Sequence, residues 1–468
     1  MAPAAPPPPA DDLADPVAIV ARSVPDAVHE VIGRFHAEGH GAWLVGGSLR
    51  DALLGRQPAD WDLATDALPD RIVKLFPGSV YENRFGTVAV RHRDAVFEIT
   101  TLRSDHDYAD FRRPHRVEFG TDLRADLARR DFTVNALAWG RAAPPDGSED
   151  SLEDPFDGRA DLASCVLRAV GDPGARFRED ALRMVRAVRL AATLGFTIEA
   201  ATLAAIHEHA ALAGHLSGER IGAELEKLLG APRPSVGLRL MQESGLLGVV
   251  LPELAAQPGV PQNKFPGEDL WDHTLRSVDA AAGQPVVRLA ALLHDIGKPA
   301  TLADGRFHGH ETVGTRMATA LLRRLRYPRA VIERVGHLVR HHMFTVDPEA
   351  TDAAIRRFIM RIGVPALDEL FALREADDAG SGVAVPDTRL NLFRTRIREE
   401  LAAQHALNLQ ALKVDGNDLI AELGLEPGPR LGRVLDALLD RVVADPGLND
   451  RPTLLLLAQS MLADMGDR

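Results

Sequence analysis

The sequence predicts an α+β protein, with a small mixed sheet in an N-terminal head and helices in everything that follows. Two observations carry that expectation. Up to about Ser164, segments such as FGTVAVRH and AVFEITTLR alternate apolar and polar residues, the period-two signature of strands with one buried face. Beyond Val166 the apolar spacing becomes helical, as in EDALRMVRAVRLAATLG, IEAATLAAIHEHAALAG and ERIGAELEKLLG. A chain of 468 residues is too long for one core. Its 46% hydrophobic and 26% charged residues are those of an ordinary globular protein.

The elements follow in order. Residues 1–16, MAPAAPPPPADDLADP, lack a basic start and a continuous apolar stretch, so a disordered tail is expected there and not a signal or transit peptide. Residues 17–165 form the mixed head: AIVARSVPDAVHEVIGRFHAEG predicts an amphipathic helix, and GAWLVGG a strand ending in a glycine turn. A helical neck is expected over 166–230, then a helical body and linker over 231–270 that includes the Pro/Gly cluster AAQPGVPQNKFPGEDLW. Residues 271–380 are helical and rich in histidine, and 381–468 are a helical C-terminal tail. No fixed-period repeat is present.

Composition excludes several classes. The longest apolar runs, VVRLAALLH and TLLLLAQSML, fall short of the roughly 18–20 residues of a membrane span. A single cysteine, Cys165, excludes an internal disulfide framework and a cysteine-based zinc site, which fits a reducing cytoplasm. A net charge of −13 is not that of a generally basic nucleic-acid binder. A local basic track remains open, since Leu167–Leu190 carries six arginines against three acids.

One constellation lies in GGSLRDALLGRQPADWDLATD, residues 46–66. Asp60 and Asp62, two apart on a strand, would project to one face and meet two metal ions there, with Trp61 packed into the core behind. Magnesium suits hard carboxylate ligands. Gly46 and Gly47 would let backbone amides approach a triphosphate, and Arg50 would meet phosphate oxygens in a bidentate way. Glu98, in VFEITTLR, offers a third carboxylate. Each piece alone is an ordinary turn or surface charge; together they are far more specific.

With the downstream motifs, the run resembles the nucleotidyltransferase superfamily related to DNA polymerase β, and within it the class II tRNA CCA-adding enzymes and bacterial poly(A) polymerases. TTLRSDHDYADFRRPHRVEF is similar to the family's flexible loop, LARRDFTVNALAW to its RRDFTxNA motif and EDPFDGRADL to the head-to-neck motif. RFREDALRMVRAVRLAATLGF contains EDxxR as Glu179, Asp180 and Arg183, and SGERIGAELEKLL is similar to the motif that closes the neck. The resemblance covers roughly residues 35–230 and implies a polymerase β-like head. It implies Mg²⁺ on Asp60 and Asp62, and Glu98 as a helper in activating the attacking hydroxyl. Nucleotide contacts are implied for Gly46, Gly47, Arg50, Asp51, Arg103, Arg130, Asp131, Asn135, Asp180, Arg183 and Arg186. The substrates it implies are tRNA, CTP and ATP. Asp180 and Arg183 are spaced to share a helix face, where the plain reading is a surface ion pair of roughly a few tenths of a kcal/mol. In the resemblance they instead offer an acceptor and a donor to the base edge of cytosine or adenine. Poly(A) addition, or addition of CC or A alone, is the nearest alternative; NRFGTVAVR resembles the CCA-adding form more than the polymerase form, and the complete loop segment near residues 103–115 argues against a CC-only enzyme.

A second constellation spans residues 273–378. His273, the adjacent His294 and Asp295, His310, His341, His342 and a late aspartate could hold a transition metal or a mixed divalent pair. HDIGK resembles the HD phosphohydrolase superfamily, and the additional histidines resemble its members with more than one metal. The last ligand is expected to be Asp377, with Asp378 as the alternative. The sequence does not state this domain's substrate; terminal 2′,3′-cyclic phosphates or phosphate monoesters on RNA are expected because the transferase would present the same tRNA end, and an HD-type phosphohydrolase with a head that only binds nucleotide is a rival from another functional class.

Overall fold

A computed structural model describes residues 16–58, 60–81, 86–108, 114–147, 149–262, 267–281, 283–382, 387–403 and 408–466. The proline-rich tail expected up to residue 16, and residues 109–113 of the loop segment, therefore lie outside or almost outside the described residues. The chain divides into two compact units, one of residues 1–256 with 321–327 and one of 257–320 with 328–468.

The first unit opens with helices, Pro16–Ser23 and Asp26–Ala37, where the sequence suggests one. Pro25, with φ −61° and ψ 149°, breaks the run, because its ring cannot continue the preceding helix. The sheet comprises β1 (Ala42–Val45), β2 (Asp62–Thr65), β3 (Val80–Tyr81), β4 (Thr87–His92), β5 (Ala95–Thr101), β8 (Ala138–Arg141) and β9 (Ser151–Glu153), with β6 (Arg103–Tyr108) and β7 (Pro114–Phe119) forming a separate hairpin. Its order is β3-β4-β5-β2-β1-β8-β9. Neighbours are antiparallel except β2 and β5, which run parallel. The peripheral strands alternate as the sequence implies: Val88 and Val90 on β4, and Phe97 and Ile99 on β5, are buried. The central β1, AWLV, is buried at every position, as a strand covered on both faces must be.

Trp43, Val45, Ala64, Leu127, Ala136, Ala138 and Val170 form one apolar cluster of this unit. Asp62 shares the face of Ala64 by the strand's period of two, so its carboxylate stands where that apolar face ends. The neck follows as helices Pro173–Glu179, Leu182–Leu194, Ala200–His209 and Gly218–Leu229.

Among its described residues the second unit has helices and no strands. Leu270–Ala280, Pro285–Leu293, His310–Arg324, Arg329–His341 and Leu367–Gly380 carry the histidine-rich segment. Leu367–Gly380 lies tightly on Leu270–Ala280: a Cβ on Gly380 would stand 2.1 Å from Ser277 Oγ and 3.1 Å from the His273 carbonyl oxygen. Further along, Phe344, Phe358, Phe371 and Phe393 pack as an aromatic cluster. Helices Gly416–Leu423, Pro429–Ala444 and Arg451–Gly466 close a core of Leu419, Val434, Leu438, Val442, Val443, Leu454 and Ala458.

Candidate active site and metal centre

The two glycines do not make a turn after β1; they begin the helix Gly46–Leu53 directly. Gly46 has φ +72°, a left-handed conformation that other residues adopt at a cost. A Cβ there would also come within 3.2 Å of Arg130 Nη1 and 3.7 Å of Asp62 Oδ2. A glycine is thus needed both for the chain direction and for the space between an arginine and a carboxylate. Ser48 ties the segment to the acidic strand, its Oγ accepting from the Asp62 amide at 3.2 Å.

The acidic pair differs from the expected arrangement. Only Asp62 is on a strand; Asp60 lies in the bend before β2 and is exposed, and Trp61 is half-buried instead of packed in the core. The reason is that β2 begins at Asp62, so period-two geometry does not apply to residue 60. Glu98 lies directly beside Asp62 in the parallel ladder of β2 and β5. Burial, then the Asp60 and Glu98 carboxylates, push the Asp62 carboxyl up to about 6, with Arg130 pulling the other way. Three acids in mutual repulsion at the end of a buried strand make a site in want of cations, which fits a divalent ion.

Around this acidic centre runs a chain of paired side chains. Arg50 donates to Asp51 at 2.8 Å and to Asn135 Oδ1 at 2.7 Å. Asn135 donates to Asp131 Oδ1 at 3.0 Å, and Asp131 receives Arg186 Nε at 2.8 Å. Burial alone would raise the Asp131 carboxyl, but the Arg186 charge and the donated hydrogen bonds hold it well below the usual carboxylate range. Arg103 opens β6, its amide 3.4 Å from Asp126 Oδ1.

Asp180 and Arg183 do not form the helical pair that their spacing suggests. Asp180 sits between two helices with extended backbone, φ −145° and ψ 105°. Its Oδ1 accepts from the Leu182 amide at 3.0 Å and its Oδ2 from Arg220 at 2.7 Å. Arg183 instead donates to Glu179 at 2.7 Å and to the Arg129 carbonyl at 2.6 Å. The basic track is equally committed: Arg168 pairs with Asp161 and Glu199, Arg176 and Arg183 with Glu179, Arg186 with Asp131, and Arg189 with Glu224. These arginines organise the neck and are not a free basic surface. Asp126, Arg189, Arg220 and Glu224 were not singled out from sequence. The i, i+4 spacing of Asp126 to Arg130 is the available signal for the first; Arg220 and Glu224 are also four apart, but pair with Asp180 and Arg189 instead.

The histidine-rich site is built differently. His294, His310 and His342 each place Nδ1 2.7–2.8 Å from the carbonyl three residues earlier, Ala291, Phe307 and Val339. With Nδ1 donating, each Nε2 is an acceptor facing inward. His273 and His294 approach through Nε2 at 3.1 Å, and His310 and His342 at 3.2 Å. Asp295 stands between: its Oδ2 is 3.1 Å from His294 and 3.5 Å from His273, and its Oδ1 is 3.3 Å from His310 and 3.6 Å from His342. Asp377 completes the first group, 3.2 Å from His273. Asp378 turns away to Arg374 at 2.9 Å. His341 is not in the centre: at the end of its helix it turns to the ring of His337, 4.6 Å away. Adjacent residues on a helix point about 100° apart, so only one of two consecutive histidines can face the site. Burial pushes the His294 imidazole down and keeps it neutral, so able to ligate, while Asp295 is held well below the usual carboxylate range despite its burial, with Lys298 Nζ 2.6 Å from its Oδ2. Lone pairs facing one another across a buried carboxylate fit bound divalent cations.

Comparison with known proteins decides the family. Residues 42–168 match the poly A polymerase head domain, residues 195–257 the "Probable RNA and SrmB- binding site of polymerase A", and residues 271–378 the HD domain. A CCA-adding enzyme of Geobacillus stearothermophilus is 32% identical over 88% of this chain and 91% of its own. One from Levilactobacillus brevis is 35% identical over 91% and 95%. The chain belongs to the tRNA nucleotidyltransferase family of CCA-adding enzymes and their relatives. That family is also represented by an A-adding tRNA nucleotidyltransferase of Deinococcus radiodurans, 35% identical over 86% of this chain and 91% of its own. A match to a further CCA-adding enzyme, from Geobacillus sp. (strain WCH70), is 45% identical but spans about half of each chain, 46% and 52%. Among solved structures, the Bacillus stearothermophilus CCA-adding enzyme in complex with CTP aligns with a TM-score of 0.71 at 28% identity, covering 95% of this chain and 99% of that one. The tRNA nucleotidyltransferase head and the HD domain both imply use of divalent metal. Among the described residues no helix is long and apolar enough to cross a membrane.

Proposed function

We propose that this protein extends the 3′ end of tRNA with CCA, taking CTP and ATP and releasing pyrophosphate, without a nucleic-acid template, in the cytoplasm. The observation that supports it most is the register of Asp62 beside Glu98, with Asp62 Oδ2 3.7 Å from the place a Cβ would take on Gly46, the glycine that opens the helix Gly46–Leu53. Carboxylates and a backbone cradle meet there. Asp60 and Asp62 would hold Mg²⁺, which when bound neutralises the charge of the transferring phosphate. The chain's own groups do the rest. Gly46 and Gly47 leave room for the triphosphate against the helix start, and Arg50 and Arg130 meet its oxygens. The tRNA 3′-hydroxyl attacks the α-phosphorus, Glu98 takes up its proton, and the α–β bridging oxygen leaves with pyrophosphate. Asp180 accepts from the exocyclic amine shared by cytosine and adenine, while Arg183 donates to the adjacent ring acceptor; guanine and uracil reverse that pattern.

Identity does not choose among full CCA, A-only and CC-only addition, since relatives of the latter kinds are as similar. The complete run TTLRSDHDYADFRRPHRVEF, whose ends pair as β6 and β7, argues against CC-only addition. Purified protein is incubated with tRNA lacking its last three residues. CTP alone should add two residues, and ATP should then add one. Long A tails from ATP alone would refute this reading in favour of poly(A) addition.

Asp295, facing two histidines with each oxygen, favours a second activity: hydrolysis of a phosphate monoester or cyclic phosphate at an RNA end by a two-metal HD centre. His273, His294 and Asp377 would hold one ion and His310 and His342 the other, with Asp295 shared. A transition metal or mixed pair suits this imidazole-rich set. Release of phosphate from such an end, lost in H294A while CCA addition continues, is the expected result; addition lost together with hydrolysis would count against two separate sites.

A further inference from the structure

Asp126 is the most deeply buried acid of the first unit that the scheme above leaves without a task. It lies on the short helix Leu123–Ala128 with 1% of its surface exposed. Its Oδ1 accepts from Arg129 at 2.6 Å and its Oδ2 from Arg130 at 3.1 Å. The amide of Arg103, the first residue of β6, lies 3.4 Å from Oδ1. Burial would raise this carboxyl, but the two guanidinium groups outweigh it and hold the carboxyl below its ordinary range.

Arg130 is the arginine nearest the glycine cradle, and it bears electrostatically on Asp62. Besides Asp126, it reaches the Asn135 carbonyl at 3.5 Å, a long and weak contact. Its Nε is buried with no hydrogen-bond partner among the described residues. One strong anchor and a spare donor describe a cation held in readiness for an anion, and the anchor is Asp126. We infer that Asp126 is a positioning residue: it aims the Arg130 guanidinium at the nucleoside triphosphate and ties the start of the β6–β7 hairpin to the same point. This rests on the assignment of Arg130 to the triphosphate made above.

The physical logic is a fixed charge on a rigid element. Without the carboxylate, Arg130 can turn toward Asp62 or Glu98, where it would compete with the metal and leave the triphosphate. Arg129 shares Asp126 but directs its own carbonyl to Arg183, so its side chain is expected to be dispensable for triphosphate binding.

The test is a double-mutant cycle on CMP and AMP addition to tRNA, with wild type, D126N, R130A, D126N/R130A and R129A. D126N should raise KM for CTP and for ATP alike, by about tenfold, with a smaller change in kcat, as expected when a group that binds the triphosphate in ground and transition state alike is misplaced. In the R130A background, D126N should add less than about twofold, because both changes remove one interaction. R129A should stay within about twofold of wild type in KM. A merely structural Asp126 would give multiplying losses and a melting temperature that falls in step. If D126N does not fold, D126E enters the same cycle, since it keeps the charge and shifts it by one methylene. Unchanged KM in the folded Asp126 variant, or losses that multiply with R130A, would overturn the inference. Unchanged KM in R130A itself would instead overturn the triphosphate assignment on which it rests.

Discussion

The two metal-competent sites of this chain solve the same problem, gathering negative or lone-pair groups without a cation, in opposite ways. The acidic site of the head takes Asp62 from the edge of a strand, Asp60 from a bend and Glu98 from the neighbouring strand, and leaves them repelling one another. The histidine site of the second unit takes every ligand from helices or their ends, buries nearly all of them, and satisfies the Nδ1 of His294, His310 and His342 with a backbone carbonyl. One site waits for substrate to complete it; the other is finished apart from its ions. A site that must admit three nucleotides in turn, with a moving tRNA end, has reason to stay open and incomplete. A centre of the hydrolytic kind proposed for the second unit, keeping its metals between turnovers, would have none.

The largest effect expected separates the sites outright. D60A/D62A should lower CCA addition by about a thousandfold or more, the scale of losing charge stabilisation at the transferring phosphate, while phosphate release at the HD centre stays within about twofold. Paired assays on one preparation check this. Loss of both activities would mean that the two centres are not independent, and persistence of addition would show that the acidic site is misassigned.

A second test probes how finished the histidine site is. H342A should lose about one bound metal per chain and about 10–100-fold in affinity for it, whereas H341A should keep the wild-type content. Metal analysis after dialysis distinguishes them. A loss in H341A equal to that in H342A would place His341 back among the ligands, against its contact with His337.

How far each site was legible in the sequence follows the same contrast. Motif spacing located the glycines, the acids and the histidine cluster, and it implied the α+β division between head and remainder. It could not say that β2 begins at Asp62, because Trp61 fits a strand by pattern and no local residue marks the boundary. Nor could it separate His341 from His342, or Asp377 from Asp378, since adjacent residues share every local cue and differ only in helical phase. The spacing of EDxxR suggests a single helix face; the break at Asp180 is fixed by its side chain, which accepts from the Leu182 amide at the start of the next helix and from Arg220, 40 residues later. Buried partners such as Asp126 and Glu224 are hardest to foresee, because a carboxylate earns its burial from arginines that only the fold brings near.

The third prediction concerns the network that joins head to neck. Asp131 is buried and held ionised against Arg186 and Asn135. D131N keeps the shape and removes the charge, leaving Arg186 short of its partner, and should cost about 3 kcal/mol of stability at neutral pH. The sign with pH follows from the depressed carboxyl: its contribution is complete above the unfolded value near pH 4 and is lost as pH falls toward the folded one. Melting temperatures of wild type and D131N should therefore converge below about pH 4. Curves that stay parallel down to acid would show that the variant acts through packing and not charge.

The smallest effect has the opposite sign and comes from the acidic site itself. Asp62 is raised to about 6 in the folded protein, by burial first and then by Asp60 and Glu98. An unfolded aspartate titrates near about 4. Below that the carboxyl is protonated in both states and costs nothing. As pH rises through the window between the two values, the folded state must ionise a group that its surroundings resist, so stability falls and then levels off above the folded value. D62N removes that cost. In metal-free buffer, D62N should match wild type near pH 4 and gain about 1–2 kcal/mol over it by pH 8, a discounted share of a two-unit shift at a partly exposed site. Adding Mg²⁺ should close the gap by stabilising wild type and not the variant. Calorimetry at pH 4 and pH 8, with and without Mg²⁺, measures all four corners. A variant that is no more stable than wild type at pH 8 would mean that the three acids do not repel as their placement implies, and the head would then be as finished without its metal as the histidine centre is.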